Sequence, residues 1–335
     1  VCPFKVITGS SAGSINAAYL AANADRFNEA VNRLNTMWRT LSTKNIYKSE
    51  LLAFNKAKTM MNLFNNMRKG NTTNSILNAT PLARLLSEEI DFDRIQYCLD
   101  NKYLHGVAIT ATNFQESMST SFVQSNQDIE WERVRRSGVQ SKVKLKHLMA
   151  STAIPFLFPP VKIQKRFYGD GSLRNFAPLS SAIRCGAKQL VIVGVREKDI
   201  AEPEEKDQIS FGDIFSKILN TILFDSLDID HERLTRINQT ISSSKSNKAK
   251  LQEINSVIIR PSVSFKEIIQ NYYYECPNIL SQLMNIIGSK KGSAHLMSYL
   301  MFEPGYLNAL IDQGYKDAHQ YKDQILNVIN KKALE

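Results

Sequence analysis

The chain has 335 residues, 43% of them hydrophobic and 22% charged, an ordinary balance for a globular protein with a sizeable buried core. No run of about 18 apolar residues and no recognisable signal peptide is present, which predicts no membrane-spanning helix. The formal charge of +10 favours anionic partners, and four scattered cysteines (Cys2, Cys98, Cys185 and Cys276) with no CxxC argue against a disulfide framework or a zinc site and for a reduced, cytoplasmic compartment.

The first predicted element is an apolar run through Val6 and Ile7. It ends in Gly9-Ser10-Ser11-Ala12-Gly13 and continues into alanine-rich sequence. The expectation is strand, sharp turn and helix, with G-x-S-x-G at the turn. A nucleophile at such an apex sits in a strained backbone, so its neighbours two before and two after must be small. Gly9 and Gly13 satisfy this and make Ser11 the apical residue. The helix start aims free N–H groups and its positive dipole end at the same spot, and the Ala12 N–H is the natural oxyanion donor. The same five residues also suit a plain polar turn; the flanking strand and helix favour the elbow. Ser10 fills a variable position, and Ser14 reads as an early helix residue.

Residues 14–41 then read as one long helix, with apolar positions from Ala17 to Leu41 spaced at three and four. Residues 49–68 hold a second helical pattern rich in Met and Phe. It suits core packing first and a lid or lipid-facing surface second. Residues 70–74 read as a loop. Thr80-Pro81 supplies an N-cap and first-turn proline for a helix to Ile90, and another runs from Asp91 toward Leu99. Residues 103–112 and 117–124 read as paired strands.

The densest positive cluster follows: Arg133, Arg135, Arg136, Lys142, Lys144 and Lys146. It reads equally as a solvated face or a contact with an anionic surface. With no nucleic-acid-binding motif beside it, no nucleic acid partner is expected. A short helix over 145–151 precedes Ala153-Ile154-Pro155-Phe156-Leu157-Phe158-Pro159-Pro160-Val161. Its three prolines exclude regular helix or central strand, which predicts a fixed apolar loop suited to lining a pocket.

Asp170 closes a strand-like run and precedes Gly171. That is either an ordinary Asp-Gly turn or a carboxylate within reach of a neighbouring strand-end nucleophile. Residues 178–186 read as a helix stopped at Gly186, and 189–195 as a buried parallel-type strand. Residues 197–210 read as an acidic exposed loop, 211–245 as helical and 254–260 as the last strand. Helical sequence, including a helix opened by Pro304-Gly305, completes the chain. Strands alternating with helices predict an α/β layered fold.

Two architectures place a serine in G-x-S-x-G. In an α/β-hydrolase, several strands precede the elbow and a histidine supplies the base. Here the elbow begins at residue 9, and none of the five histidines (His105, His147, His231, His295 and His319) reads as a strand-end loop residue. The other architecture is a Ser–Asp dyad, in which an aspartate with a burial-raised pKa takes the serine proton directly.

At this point the sequence resembles a known family, the patatin-like phospholipases, and the bacterial members in particular. The resemblance rests on Gly9-Ser10-Ser11-Ala12-Gly13-Ser14-Ile15-Asn16-Ala17, on Ala150-Ser151-Thr152-Ala153-Ile154-Pro155 with Phe158-Pro159-Pro160, and on Tyr168-Gly169-Asp170-Gly171 with Asn175-Phe176-Ala177-Pro178-Leu179. Residues 300–318, with Phe302-Glu303-Pro304-Gly305-Tyr306, are similar to the C-terminal part of bacterial members.

The resemblance implies a three-layer α/β/α fold with a mostly parallel central sheet and additional helices. It implies Ser11 as nucleophile, Asp170 as base with Gly171 and Ser172 in support, and Gly9, Ala12 and Gly13 as elbow and oxyanion site. No histidine, metal or cofactor is then required. The implied reaction is hydrolysis of fatty-acyl esters of phospholipids or other lipids, of phospholipase A or lysophospholipase type, with peripheral contact to an anionic membrane. The expected organisation is a catalytic domain over 1–200 with a helical insertion near 45–100, and a mostly helical part over 211–333 packed on it.

Two departures stand out. The family's D-G-[GA] is Asp170-Gly171-Ser172 here. The glycine-rich loop and first strand that precede the elbow in the family have no counterpart and are expected upstream of Val1. A Ser-His-Asp esterase, a transferase using the same acyl-enzyme, and a catalytically inactive relative that binds lipid or a partner remain as alternatives.

Overall fold

The computed structural model of the chain describes residues 1–49, 75–197, 226–243, 251–287 and 294–330, with single helical residues at 214, 217, 218 and 221. The Met- and Phe-rich segment, the loop at 70–74 and most of the acidic stretch lie outside these residues.

In chain order the elements are β1 (Val6–Ser10), α1 (Ala12–Ala22), α2 (Phe27–Thr40), α3 (Thr43–Ile46), α4 (Thr80–Glu89), α5 (Asp93–Asp100), β2 (Gly106–Asn113), β3 (Met118–Ser125), β4 (Trp131–Arg133) and β5 (Arg136–Gln140). They continue with α6 (Leu145–Ser151), β6 (Val161–Ile163), β7 (Arg166–Gly169), α7 (Ser180–Arg184), β8 (Gln189–Val193), α8 (Ser226–Ser243), β9 (Asn255–Ile259), α9 (Phe265–Gln270), α10 (Asn278–Ile287), α11 (Ala294–Leu300), α12 (Pro304–Gln320) and α13 (Lys322–Asn330).

The long helix expected over 14–41 is two helices. Asn23 leaves helical geometry at φ −124°, its side-chain amide donates to the Tyr19 carbonyl, and its side-chain oxygen accepts from the Arg26 guanidinium. A residue that satisfies its polar groups locally interrupts a continuous apolar pattern without an orphaned bond. Thr80 proves to lie inside α4 with Ala79 at the N-cap position, and the Thr80 N–H donates to Asn78 Oδ1 at 2.9 Å.

Among the described residues seven strands form one sheet, ordered β4-β5-β3-β2-β7-β6 with β1 also on β2. The expectation of mostly parallel pairing needs correction. β1–β2 and β3–β5 are parallel, whereas β2–β3, β2–β7, β4–β5 and β6–β7 are antiparallel. The reason is chain economy: tight turns such as Val134-Arg135 and Gln164-Lys165 can only join antiparallel neighbours. β8 and β9 pair in parallel as a separate ribbon. Leu190 and Ile192 of β8 are buried while Val193 is exposed, so this strand is covered on one face only.

β2 has one edge taken along its whole length by β3. Its other edge is shared. β1 runs parallel to it from Gly106 to Thr110, and β7 arrives antiparallel at Asn113 and Thr112. The two strands therefore meet end to end opposite Ala111.

Alternate residues divide the sheet into two faces. Ile7, Val107 and Ile109 look into the main core with Ile15, Ala18, Leu34, Ile95 and Leu148 from α1, α2, α5 and α6. Val6, Ala108 and Val123 look the other way, against Cys185 and the cluster of Leu179, Ala182 and Leu190. Ile269, Leu280, Leu300 and Tyr306 of the C-terminal helices join the main core. The Phe302–Tyr306 motif is structural: the Glu303 carboxylate accepts from the Thr43 N–H, and Tyr306 OH donates to the Ser298 carbonyl.

Leu148 is fully buried in the core beneath α6. Leu148→Ala is expected to lower the unfolding free energy by about 2–5 kcal/mol, the usual cost of a leucine-sized cavity, as read by urea denaturation.

Candidate active site

β1 ends at Ser10, and Ser11 then adopts φ 49°, ψ −133°, a conformation L-residues avoid. A side chain on Gly9 would run into the Gly13 carbonyl, so Gly9 is required by close backbone approach. Gly13 behaves differently from expectation. A Cβ there meets nothing within 4 Å, because Gly13 contributes its backbone to the crowding and its own α-carbon faces open space.

The strained turn is tied down by its neighbours. Ser14, buried in the first turn of α1, donates from its N–H (2.9 Å) and its hydroxyl (2.6 Å) to the Ser11 carbonyl. The Ser11 N–H donates to Ser151 Oγ at 2.9 Å, and Ser151 Oγ donates onward to the Thr110 carbonyl at 2.7 Å. Ser151 is fully buried at the C-terminus of α6, so it bolts the elbow to β2.

β7 delivers the partner. Asp170 follows its last residue, and the Ser11 hydroxyl donates to Asp170 Oδ2 at 2.6 Å. The carboxylate also accepts from the Ser172 N–H at 2.8 Å. The Asp170 backbone is held as firmly: its N–H donates to the Ala153 carbonyl at 2.9 Å, and Thr112 Oγ1 donates to its carbonyl at 2.8 Å. Gly171 is needed because a side chain there would strike the Thr110 carbonyl.

Asp170 is fully buried, and burial pushes its carboxyl up to about 6 against the opposing pull of the Ser11 and Ser172 hydrogen bonds. Among the described residues no guanidinium or ammonium contacts it to hold the charged form. A hydroxyl donating to a carboxylate poised near neutrality is an arrangement in which the proton can pass directly from oxygen to oxygen. Ala12 is the exposed first residue of α1, and amides of a first helical turn lack intrahelical acceptors.

Among the described residues no histidine hydrogen-bonds Ser11 or Asp170. His147 is buried against Phe122, with Nδ1 accepting from the Lys144 N–H, and burial with two neighbouring lysines pushes it down to about 4. His231 sits beside Ser256 on the β8–β9 ribbon. The 153–161 loop is anchored in the core at three points: Ala153, Leu157 and Phe158 are buried, and Phe156, at φ 66°, projects from it.

Ser151, Thr110 and Thr112 went unsingled in the sequence, although Ser151 lay inside a segment that carried the family resemblance. Their roles are bonds across 41 to 140 positions of chain, which no local pattern signals.

The raised Asp170 pKa has a stability consequence. Its folded value, about 6, exceeds the ordinary 3.8, so its favourable contribution is complete below about pH 4 and disappears as pH rises through 6. Asp170→Asn is therefore expected to stabilise the fold by about 2–3 kcal/mol at pH 8. The gain should shrink toward pH 5 in paired urea titrations.

Against known proteins, no curated protein matches the chain. The family model described as Patatin-like phospholipase matches residues 1–183, more than half of the sequence and all of the elements that carry Ser11, Ser151 and Asp170. The chain belongs to the patatin-like phospholipase family.

Proposed function

We propose that this protein is a serine lipid acyl hydrolase working through a Ser11–Asp170 dyad. The family as a whole hydrolyses lipid acyl esters. The observation that carries the finer reading is the 2.6 Å hydrogen bond from Ser11 Oγ to a fully buried carboxylate.

In this reading Asp170 takes the hydroxyl proton as Ser11 Oγ attacks the ester carbonyl. The Ala12 N–H, with the dipole of α1 behind it, stabilises the tetrahedral oxyanion. Asp170 then passes the proton to the departing alcohol, leaving an acyl-enzyme on Ser11. Water, deprotonated by the same carboxylate, releases the fatty acid and restores the hydroxyl. The strained Ser11 backbone keeps Oγ at the apex, and Ser151 keeps that apex in register with β2. Residues 1–200 would form the catalytic domain, with 211–333 packed on it.

Covalent labelling by a fluorophosphonate is expected at Ser11, lost in Ser11→Ala and reduced by about 10²-fold or more in Asp170→Asn, the usual weight of a general base. Wild-type labelling and ester hydrolysis should rise with pH through about 6 and level off above it, because the ionised carboxylate is the base. An unlabelled Ser11 would point instead to a relative that only binds lipid or a partner. Loss of activity on replacing any one histidine would point to a triad.

Docking to an anionic membrane belongs to the same proposal. Lys142, Lys144 and Lys146 are exposed and alternate with the buried Val143 and the part-buried Leu145. Replacing the three by Glu is expected to weaken partitioning onto phosphatidylglycerol-containing vesicles roughly a hundredfold, at about 1 kcal/mol per basic residue. Unchanged partitioning removes the docking.

A further inference from the structure

A cluster of arginines lines a cavity to which neither Ser11 nor Asp170 contributes. A surface cavity of about 330 Å³ is lined by five arginines from three separate stretches of chain. Arg133, Arg135 and Arg136 come from the β4–β5 turn, Arg174 from the short turn that follows Asp170, and Arg233 from α8. Guanidinium groups repel one another, and a surface that merely needs solubility intersperses the two signs of charge.

None of the five forms an ion pair with a described residue, whereas Arg39, Arg94, Arg166 and Arg260 all do. Arg136 is part-buried, and desolvation disfavours its charge; the Asp230 carboxylate opposes this, and Arg233, Arg184 and Arg133 add to it, so the charge is disfavoured on balance. Asp230 itself accepts from the Leu179 N–H at 3.0 Å. Arg174 donates from Nε to the Ser117 carbonyl at 3.1 Å and its guanidinium lies 5.8 Å from the Phe176 ring centroid, while its two terminal nitrogens make no hydrogen bond with a described residue.

The backbone also exposes these groups against its own preference. Arg135 sits at φ 59° in the two-residue turn, a position that favours glycine, and so presents a guanidinium where a glycine would be cheaper. Several forked donors converging on one small cavity match a compact anion with more than one charge and three or more acceptor oxygens. A phosphate monoester has that form, whereas a single carboxylate engages one guanidinium fork.

The rim indicates where such a phosphate comes from. Val134, at the tip of the turn, is 90% exposed, and Phe176, beside Arg174, is 60% exposed. An exposed valine and an exposed aromatic ring, the ring stacked against the Arg174 guanidinium, flank the arginine cavity and suit a site that meets the head-group layer of a bilayer, with the apolar pair entering the acyl boundary. We propose that this cavity binds the phosphomonoester head group of an anionic lipid. Binding there does not depend on Ser11 chemistry, so it is tested in a protein that cannot turn lipid over.

The experiment uses the full chain carrying Ser11→Ala and neutral phosphatidylcholine vesicles doped with either phosphatidate, a monoester, or phosphatidylglycerol, a diester, matched in surface potential. Co-sedimentation is expected to favour phosphatidate by about tenfold or more, the scale of one or two charge-assisted bonds. Arg136→Gln with Arg174→Gln should erase the preference.

Arg133→Gln with Arg135→Gln, on the exposed turn and clear of packed side chains, should reduce it several-fold without lowering the thermal midpoint. Lys142→Gln, Lys144→Gln and Lys146→Gln together should weaken both vesicle types and keep their ratio. Equal binding of the two lipids, or a preference that survives both arginine pairs, overturns the proposal. Saturable binding of inorganic phosphate at the arginines with no vesicle preference assigns the cavity to soluble phosphate and overturns the lipid source. None of these readouts involves ester hydrolysis, so they stand apart from any failure of the dyad.

Discussion

A β-strand has two edges, and in this protein one edge of β2 is divided between two incoming strands. β1 occupies its first half in parallel and β7 its second half in antiparallel sense, and both terminate around Ala111. Strand ends are where side chains escape the ladder, so this shared edge brings the residue after β1 and the residue after β7 face to face. Ser11 and Asp170, 159 positions apart in the chain, are thereby placed at hydrogen-bond distance. The glycines at 9 and 171 follow from the same constraint. Two chain reversals crowd against the backbone of β2 and α1, and neither leaves room for a Cβ.

The buried carboxylate is the costly part of this arrangement. Desolvation disfavours its charge, and the two hydrogen bonds from Ser11 and Ser172 return only part of what water would have supplied. A neighbouring arginine would solve the solvation problem and depress the pKa, leaving a carboxylate too weak to take a proton. The site instead tolerates the destabilisation, as sites that need an unusual pKa commonly do. The surrounding structure pins the strained residues through backbone and hydroxyl bonds: Ser14 and Ser151 for the elbow, Thr112 and the Ala153 carbonyl for the aspartate. These bonds are neutral, so they fix position without shifting the charge balance.

Positive charge is distributed in two ways around this centre. The lysines at 142, 144 and 146 stand on the exterior, each a solvated point charge on a flexible stem. The arginines of the β4–β5 turn, the Asp170 turn and α8 converge on a cavity. In sequence the first three arginines and the lysines form one basic run. Folding separates them, because β5 carries the chain five residues away from the turn before the lysines begin.

Much of this was legible in the sequence where the physics is local. The strand–turn–helix around Ser11, the strand just before Asp170, the paired strands at 106–125 and the helix opened by Pro304 are all set by short-range periodicity and by residues with restricted backbone choices. The break at Asn23 was hidden because the apolar spacing runs unbroken through it, while the interruption depends on side-chain bonds to Tyr19 and Arg26. The β4–β5 hairpin was hidden because its residues are charged and half-exposed, so no alternation marks it.

By itself the sequence determined which residues can be a nucleophile, a base and a tight turn, since those are properties of a residue and its neighbours. Only the tertiary structure decided that Ser11 lies at hydrogen-bond distance from Asp170, that Ser151 braces the elbow, and that five arginines share one cavity. Those are contacts between distant segments, and their geometry is settled by which strand takes which edge of the sheet.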